Sequence, residues 1–227
     1  MKNKIYNFIF LLFFSLFSLN VNSQEQFNFD VTQIDILENG NKFIGTKRGT
    51  ITSNDGIIIN ADQFEYQKKL NILNANGNVK IIDRINNFEI YSDNITYDKN
   101  NNFIFTDKNS KAFDLVNNFE ISADSFEYNI TKNVITAKNN AIIENKTENY
   151  KVSSNQITYF RNKNKIFSKG KTNADIFSKY KLISEDVTYL GDLRQFSSKK
   201  KTIVKDKLNL YNLEKFSYQI DKEILKG

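Results

Sequence analysis

The chain of 227 residues contains no histidine, cysteine, proline or tryptophan, and a single methionine. Without cysteine there is no disulfide, no thiolate nucleophile and no cysteine-ligated metal. Without histidine the commonest general base and metal ligand is missing, so most hydrolase and metalloenzyme mechanisms lose their usual parts. No catalytic residue, cofactor or metal ligand is assigned. Without proline, strand edges depend on charges and neighbours for protection. The longest apolar run, Phe8 to Leu19, falls short of the roughly 20 residues a spanning helix needs.

What the chain does have is aromatic and aliphatic bulk: 20 Phe, 11 Tyr and a hydrophobic fraction of 40%, enough to bury a core despite many Asn and Lys. Lys2 and Lys4 followed by Phe8 to Leu19 and then the polar Asn20 to Ser23 read as a secretory signal over residues 1–23, cut between Ser23 and Gln24. An uncleaved anchor is the competing reading. Removing Lys2 and Lys4 takes the 32 basic residues to 30 against 26 acidic ones, a net charge of +4 on residues 24–227. That suits an anionic partner without demanding one. Export and so modest a charge argue against nucleic acid.

A unit recurs about every 31 residues, marked by Tyr66, Tyr97, Tyr128, Tyr159, Tyr189 and Tyr218. Five segments align directly: Ile57 to Tyr66, Phe88 to Tyr97, Phe119 to Tyr128, Tyr150 to Tyr159 and Tyr180 to Tyr189. A sixth, Leu208 to Tyr218, carries one extra residue, and a degenerate copy sits at Phe27 to Ile36. In each copy three alternate positions, such as Phe88, Ile90 and Ser92, share one face of a strand. The next apolar positions, Ile95 and Tyr97 in that copy, are shifted from them by an odd number, which would flip the face of a straight strand. A bend or bulge is therefore expected at Asp62, Asp93, Asp124, Asn155 and Glu185, residues that cap such corners by bonding nearby backbone amides.

Further short runs follow each tyrosine after a polar turn. Leu70 to Ile72, Phe103 to Phe105, Val134 to Ala137 and Ile166 to Phe167 form a second strand; Val79 to Ile82, Ala112 to Phe113, Ala141 to Ile143 and Thr202 to Val204 a third. No helical periodicity is present. A unit this small cannot bury its own apolar face, whereas stacked copies can. The expected fold is all-β: an elongated antiparallel jelly roll of two facing sheets, with strands crossing between sheets at the corners.

The pattern A/S-D-x-φ-x-Y, a polar turn, a short strand, then Gly77-Asn78-Val79-Lys80-Ile81 and the next A/S-D-x-φ-x-Y resembles the OstA/LptA-type domain of lipopolysaccharide transport, over about Phe27 to Gly227. Later copies depart from G-N-V, at Ser110-Lys111-Ala112, Asn140-Ala141-Ile142 and Lys201-Thr202-Ile203. Within the family, the stretch leading into Ile57 is most like the start of the N-terminal periplasmic domain of the outer-membrane translocon LptD. Because Gly227 falls in mid-repeat, just after Glu223 to Leu225, the reading is a partial chain lacking that protein's barrel. A stand-alone LptA-like bridge is the runner-up; an exported β-solenoid adhesin or polysaccharide-acting enzyme is the alternative outside the family.

The resemblance implies a periplasmic location, lipopolysaccharide (lipid A) as cargo, and an LptA-like protein and outer-membrane translocon components as partners. Ile59, Phe64, Phe88, Ile90, Ile95, Phe119, Ile121, Phe126, Val152 and Ile157 are the candidates for lining a lipid groove; packed core is the competing role for each. The N-terminal edge, Phe27, Phe29, Val31, Ile34 and Ile36, is the candidate docking strand, by strand addition. Other features carry two readings each. The tyrosine hydroxyls either face lipid or bond the backbone while the rings stack. Lys199 to Lys201, with Lys205 and Lys207, either attract lipid phosphates or are a solvated run. The Asp62, Asp93 and Asp124 series matches no calcium loop and is read as corner caps.

Overall fold

The structure is a computed structural model describing residues 26–227; the expected signal segment and its Ser23–Gln24 junction lie outside the described residues. The described chain forms 22 strands and three single turns of 3-10 helix, at Glu38–Gly40, Arg161–Lys163 and Gly191–Leu193. Every strand pairs antiparallel with its neighbours in one continuous sheet. Among the described residues no helix is long and apolar enough to cross a membrane, which says nothing of a β-barrel.

The odd shift in the repeat is resolved by folding this sheet along one line. Phe88 and Ile90 are 1% exposed, and so is Phe126; Ile95 and Tyr97, beyond the corner, are 3% and 0% exposed. Both halves of a strand thus present their apolar side to the same interior, and the result is the all-β jelly roll expected. In some units the corner breaks the strand, as between Ile57–Ala61 and Gln63–Gln67 or Phe119–Ala123 and Ser125–Asn129. In others the strand runs through, as in Ile72–Asp83, Phe88–Asp98, Val134–Asn145, Tyr150–Phe160 and Lys165–Ile176. Register shifts then fall between Asn76 and Val79, Lys138 and Ala141, and Ser154 and Gln156.

Five details of the sequence reading are corrected. The second and third runs are halves of one bent strand in Ile72–Asp83, Val134–Asn145 and Lys165–Ile176, and remain separate strands in Phe103–Asp107 and Ser110–Asp114; Leu70 lies in the preceding turn. The G-N-V element recurs at Lys108-Asn109-Ser110 and Asn139-Asn140-Ala141, because Val79, Ser110 and Ala141 all face the small residue of the partner strand, Ser92, Ala123 and Ser154. The corner carboxylates bond cross-strand asparagines rather than their own backbone: Asn78 donates to Asp62 (2.7 Å), Asn109 to Asp93 (2.8 Å) and Asn140 to Asp124 (3.1 Å). The fifth corner falls at Asp186, whose carboxylate accepts from the Gly170 amide at 2.8 Å, while Glu185 ends the strand before it. The sixth copy carries no extra residue: it starts at Asn209, and Leu213 and Tyr211 stand five and seven residues before Tyr218, as Ala61 and Ile59 do before Tyr66. Leu213 and Tyr211 pair with the buried Thr202 and Val204, leaving Leu208 and Leu210 at 92% and 60% exposed.

The corner asparagines hold a left-handed backbone that asparagine tolerates better than other non-glycine residues: φ is 46° at Asn78, 50° at Asn109 and 51° at Asn140. Gly77 precedes Asn78 at φ 77°, and a Cβ there would lie 2.8 Å from an Asp62 carboxylate oxygen. Gly77→Ala is expected to cost about 1–2 kcal/mol of stability, read as a lower denaturant midpoint at unchanged slope.

A candidate lipid interior closed by a tyrosine–carboxylate seam

The ten expected groove residues all point into the interior and are 0–3% exposed. They belong to one cluster of buried side chains that extends from Phe27 to Ile220. Each such Ile, Phe or Val contributes about 1.5–3 kcal/mol by leaving water, so the interior is filled and cohesive. At the corner its polar content is internally matched: Thr106 and Ser110 hydroxyls lie 2.6 Å apart, Ser168 and Thr172 2.7 Å, Ser184 and Thr202 2.8 Å.

Opposite the corner the far ends of the two half-sheets meet. Here the tyrosines act, and their hydroxyls bond carboxylates rather than backbone. Tyr97 donates to Asp55 (2.9 Å), Tyr128 to Asp83 (2.8 Å), Tyr159 to Asp114 (2.9 Å) and Tyr189 to Glu148 (3.1 Å). Each acceptor lies 41–45 residues earlier, in the opposite half-sheet of the preceding unit. The rings stack on that unit's first apolar position: Tyr128 on Phe88 at 5.1 Å, Tyr159 on Phe119 at 4.9 Å, Tyr189 on Tyr150 at 4.9 Å and Tyr218 on Tyr180 at 5.2 Å between centroids. Tyr66 differs; its hydroxyl bonds Asn71 within its own half-sheet.

Cations reinforce the seam. Arg161, two residues after Tyr159, is buried with Asp114, their side chains 3% and 0% exposed. Its Nε donates to Asp114 (3.0 Å), one Nη to Asn133 (2.6 Å) and the other to the Asn86 carbonyl (2.7 Å), and its plane lies 4.3 Å from the Phe88 ring centre. Lys99 pairs with Asp55, and Arg194 with Glu148. Burial works to raise the Asp114 carboxyl, but the hydrogen bonds from Arg161 and Asn117 outweigh it and hold it below its ordinary value. The Asp55 carboxyl likewise ends lowered, with burial opposed by Lys99, Ser53 and Tyr97.

None of these partners was singled out from the sequence, although a signal existed. Asp83 and Asp114 stand at inward-facing parity, after Val79 and Ile81 and after Ser110 and Ala112. An acidic residue at a buried position requires a partner. The expected docking residues lie in Phe27–Val31 and Ile34–Leu37, each with one hydrogen-bonded neighbour among the described residues. Phe27 is 2% exposed and Ile36 58%. Lys199 and Lys200 are exposed, and Lys201 lies 3.7 Å from an equally exposed Glu214.

Two stability effects follow from the seam. Arg161→Ala leaves the Asp114 charge buried and unpaired and is expected to destabilise by about 3–5 kcal/mol in chemical denaturation, whereas Arg161→Met combined with Asp114→Leu costs far less. At high pH the sign comes from the tyrosines. Burial, followed by the neighbouring carboxylates, raises Tyr97, Tyr128 and Tyr159. Burial is also the leading cause at Tyr189, pushed up to about 12. A raised folded value gives stability that is complete below the unfolded value near 10 and is lost as pH climbs through the folded one. The part of the phenolate absorbance that is lost in Tyr128→Phe or Tyr159→Phe is expected to appear together with loss of sheet signal above pH 10, rather than before it.

No family model and no curated protein matches the chain. Among solved structures it is similar to the crystal structure of LptH, the LptA-homologous periplasmic component of the lipopolysaccharide transport device of Pseudomonas aeruginosa. The two share 8% identity at a TM-score of 0.45, over 49% of this chain and 81% of that one. Overlap at that level carries no argument about function.

Proposed function

We propose that this chain is a periplasmic lipid-handling jelly roll of lipopolysaccharide transport, in which the apolar interior shields acyl chains while phosphorylated sugars stay in water. The observation that carries this reading is an unbroken buried apolar interior, from Phe27 to Ile220, bounded on one long side by side chains alone. Such an interior favours acyl chains by the same transfer that buries its own side chains. Few fixed polar anchors inside means little to hold a lipid in one place. The six in-register copies of A/S-D-x-φ-x-Y add the family resemblance.

Within that function, the finer assignment is the N-terminal periplasmic domain of an LptD-type translocon. Lipid A is the cargo, and Phe27–Val31 and Ile34–Leu37 dock by strand addition to an LptA-like protein. Edge strands with one neighbour have free backbone donors and acceptors on the other side, which supports that assignment. In cells making lipopolysaccharide, a photo-crosslinking residue at Ile90 or Phe126 is expected to capture lipopolysaccharide, and one at Ile36 a β-rich periplasmic protein. Lipid labelling from exposed turns alone would overturn the lipid reading, and no protein adduct at Ile36 would overturn the docking.

A further inference from the structure

Resting on the lipid-handling reading, we propose that an acyl chain enters the interior sideways through the tyrosine–carboxylate seam, meeting first an apolar lip formed by Ile85, Leu115 and Val116, and that Arg161 is the tie whose release lets neighbouring units part. The two long sides of the jelly roll are unequal. On the corner side the backbone itself crosses, within Phe88–Asp98 and Tyr150–Phe160 for example, so no opening is possible there without unfolding. On the seam side no backbone-to-backbone hydrogen bond crosses among the described residues: the turn bonds run along each row, as from Leu115 to Asn87 (3.2 Å) or Arg161 to Asn133 (3.1 Å). What crosses is the set of tyrosine rungs, the ion pairs and the bonds from Arg161 to Asp114 and Asn86.

These crossing groups suit repeated opening. Each ends in a hydroxyl, carboxylate or cation that water, or the sugars and phosphates of an amphiphile, satisfies once the rung parts. The barrier is therefore an exchange of partners, not the exposure of orphaned polar groups.

The lip lies directly beside the seam. Ile85 is 73% exposed, Leu115 59% and Val116 62%. Their turns are neighbours in one row, joined by the Leu115–Asn87 bond. Asp83 and Asp114, the rung acceptors for Tyr128 and Tyr159, immediately precede these turns. Exposed apolar side chains on neighbouring turns beside a closed apolar interior give a chain a place to lodge before the rungs open.

The absence of cysteine makes the test clean. Val116→Cys and Lys163→Cys place thiols in exposed turns on opposite sides of the Asp114–Tyr159 rung, where a cleavable bis-maleimide locks the seam. The reference is the same variant with each thiol capped singly by N-ethylmaleimide. Both carry a photo-crosslinking residue at Phe126 and are exposed to lipid A micelles. The locked protein is expected to capture lipid A about tenfold less than the capped one, with capture restored on cleaving the linker. Equal capture by locked and capped protein overturns the gate and leaves the lipid reading standing; no capture by the capped protein overturns both. Arg161→Met combined with Asp114→Leu, which leaves no buried charge unpaired, is expected to speed capture severalfold at a little-changed denaturant midpoint, and an unchanged rate removes the Arg161–Asp114 tie from the gate.

Discussion

The fold depends on a parity problem. Side chains alternate along a strand, so a strand that bends to form both walls of an interior must slip by one residue at the bend, or one wall turns its apolar face to water. Every unit solves this at the same place. Gly77-Asn78, Lys108-Asn109 and Asn139-Asn140 adopt left-handed backbone, the ladder slips, and an aspartate across the hairpin receives the asparagine amide. The last copy keeps the same spacing, with Leu213 and Tyr211 opposite Thr202 and Val204, yet covers less: Tyr211 is 38% exposed and Leu210 60%.

Fixing one long side with backbone leaves the other to side chains. The seam answers with one motif used repeatedly: a tyrosine whose ring packs on the preceding unit and whose hydroxyl ends on a carboxylate. The offset of 41–45 residues exceeds one repeat, so each rung ties a unit to its predecessor as well as one half-sheet to the other. The same contacts thus set stacking register and close the interior. Arg161 strengthens one rung by spanning three turns, so the seam is not uniform along its length.

That division bears on function. A container closed by continuous backbone on all sides admits nothing without unfolding; one closed on a single side by polar side chains has a preferred line of opening. The apolar turn tips at Ile85, Leu115 and Val116 lie beside that line. Burial, seconded by the acidic partners, keeps the rung tyrosines neutral, so the rungs are hydrogen bonds, with cationic charge at Lys99, Arg161 and Arg194.

The sequence by itself determined the repeat length, the strand character and the inward positions, because periodicity and parity are local properties of a chain. It also located four of the corners, since an odd shift between apolar positions admits no other reading. Which residues close the seam was decided only by tertiary structure. Tyr128 and Asp83 are 45 residues apart, and no local pattern couples them. Whether a tyrosine hydroxyl meets backbone, lipid or carboxylate depends on how far one half-sheet is offset from the other, which stacking of successive units sets. For the same reason Arg161 looks in sequence like any cation in a polar turn, and only the approach of Asp114, Asn133 and Asn86 makes it the most buried cation of the seam.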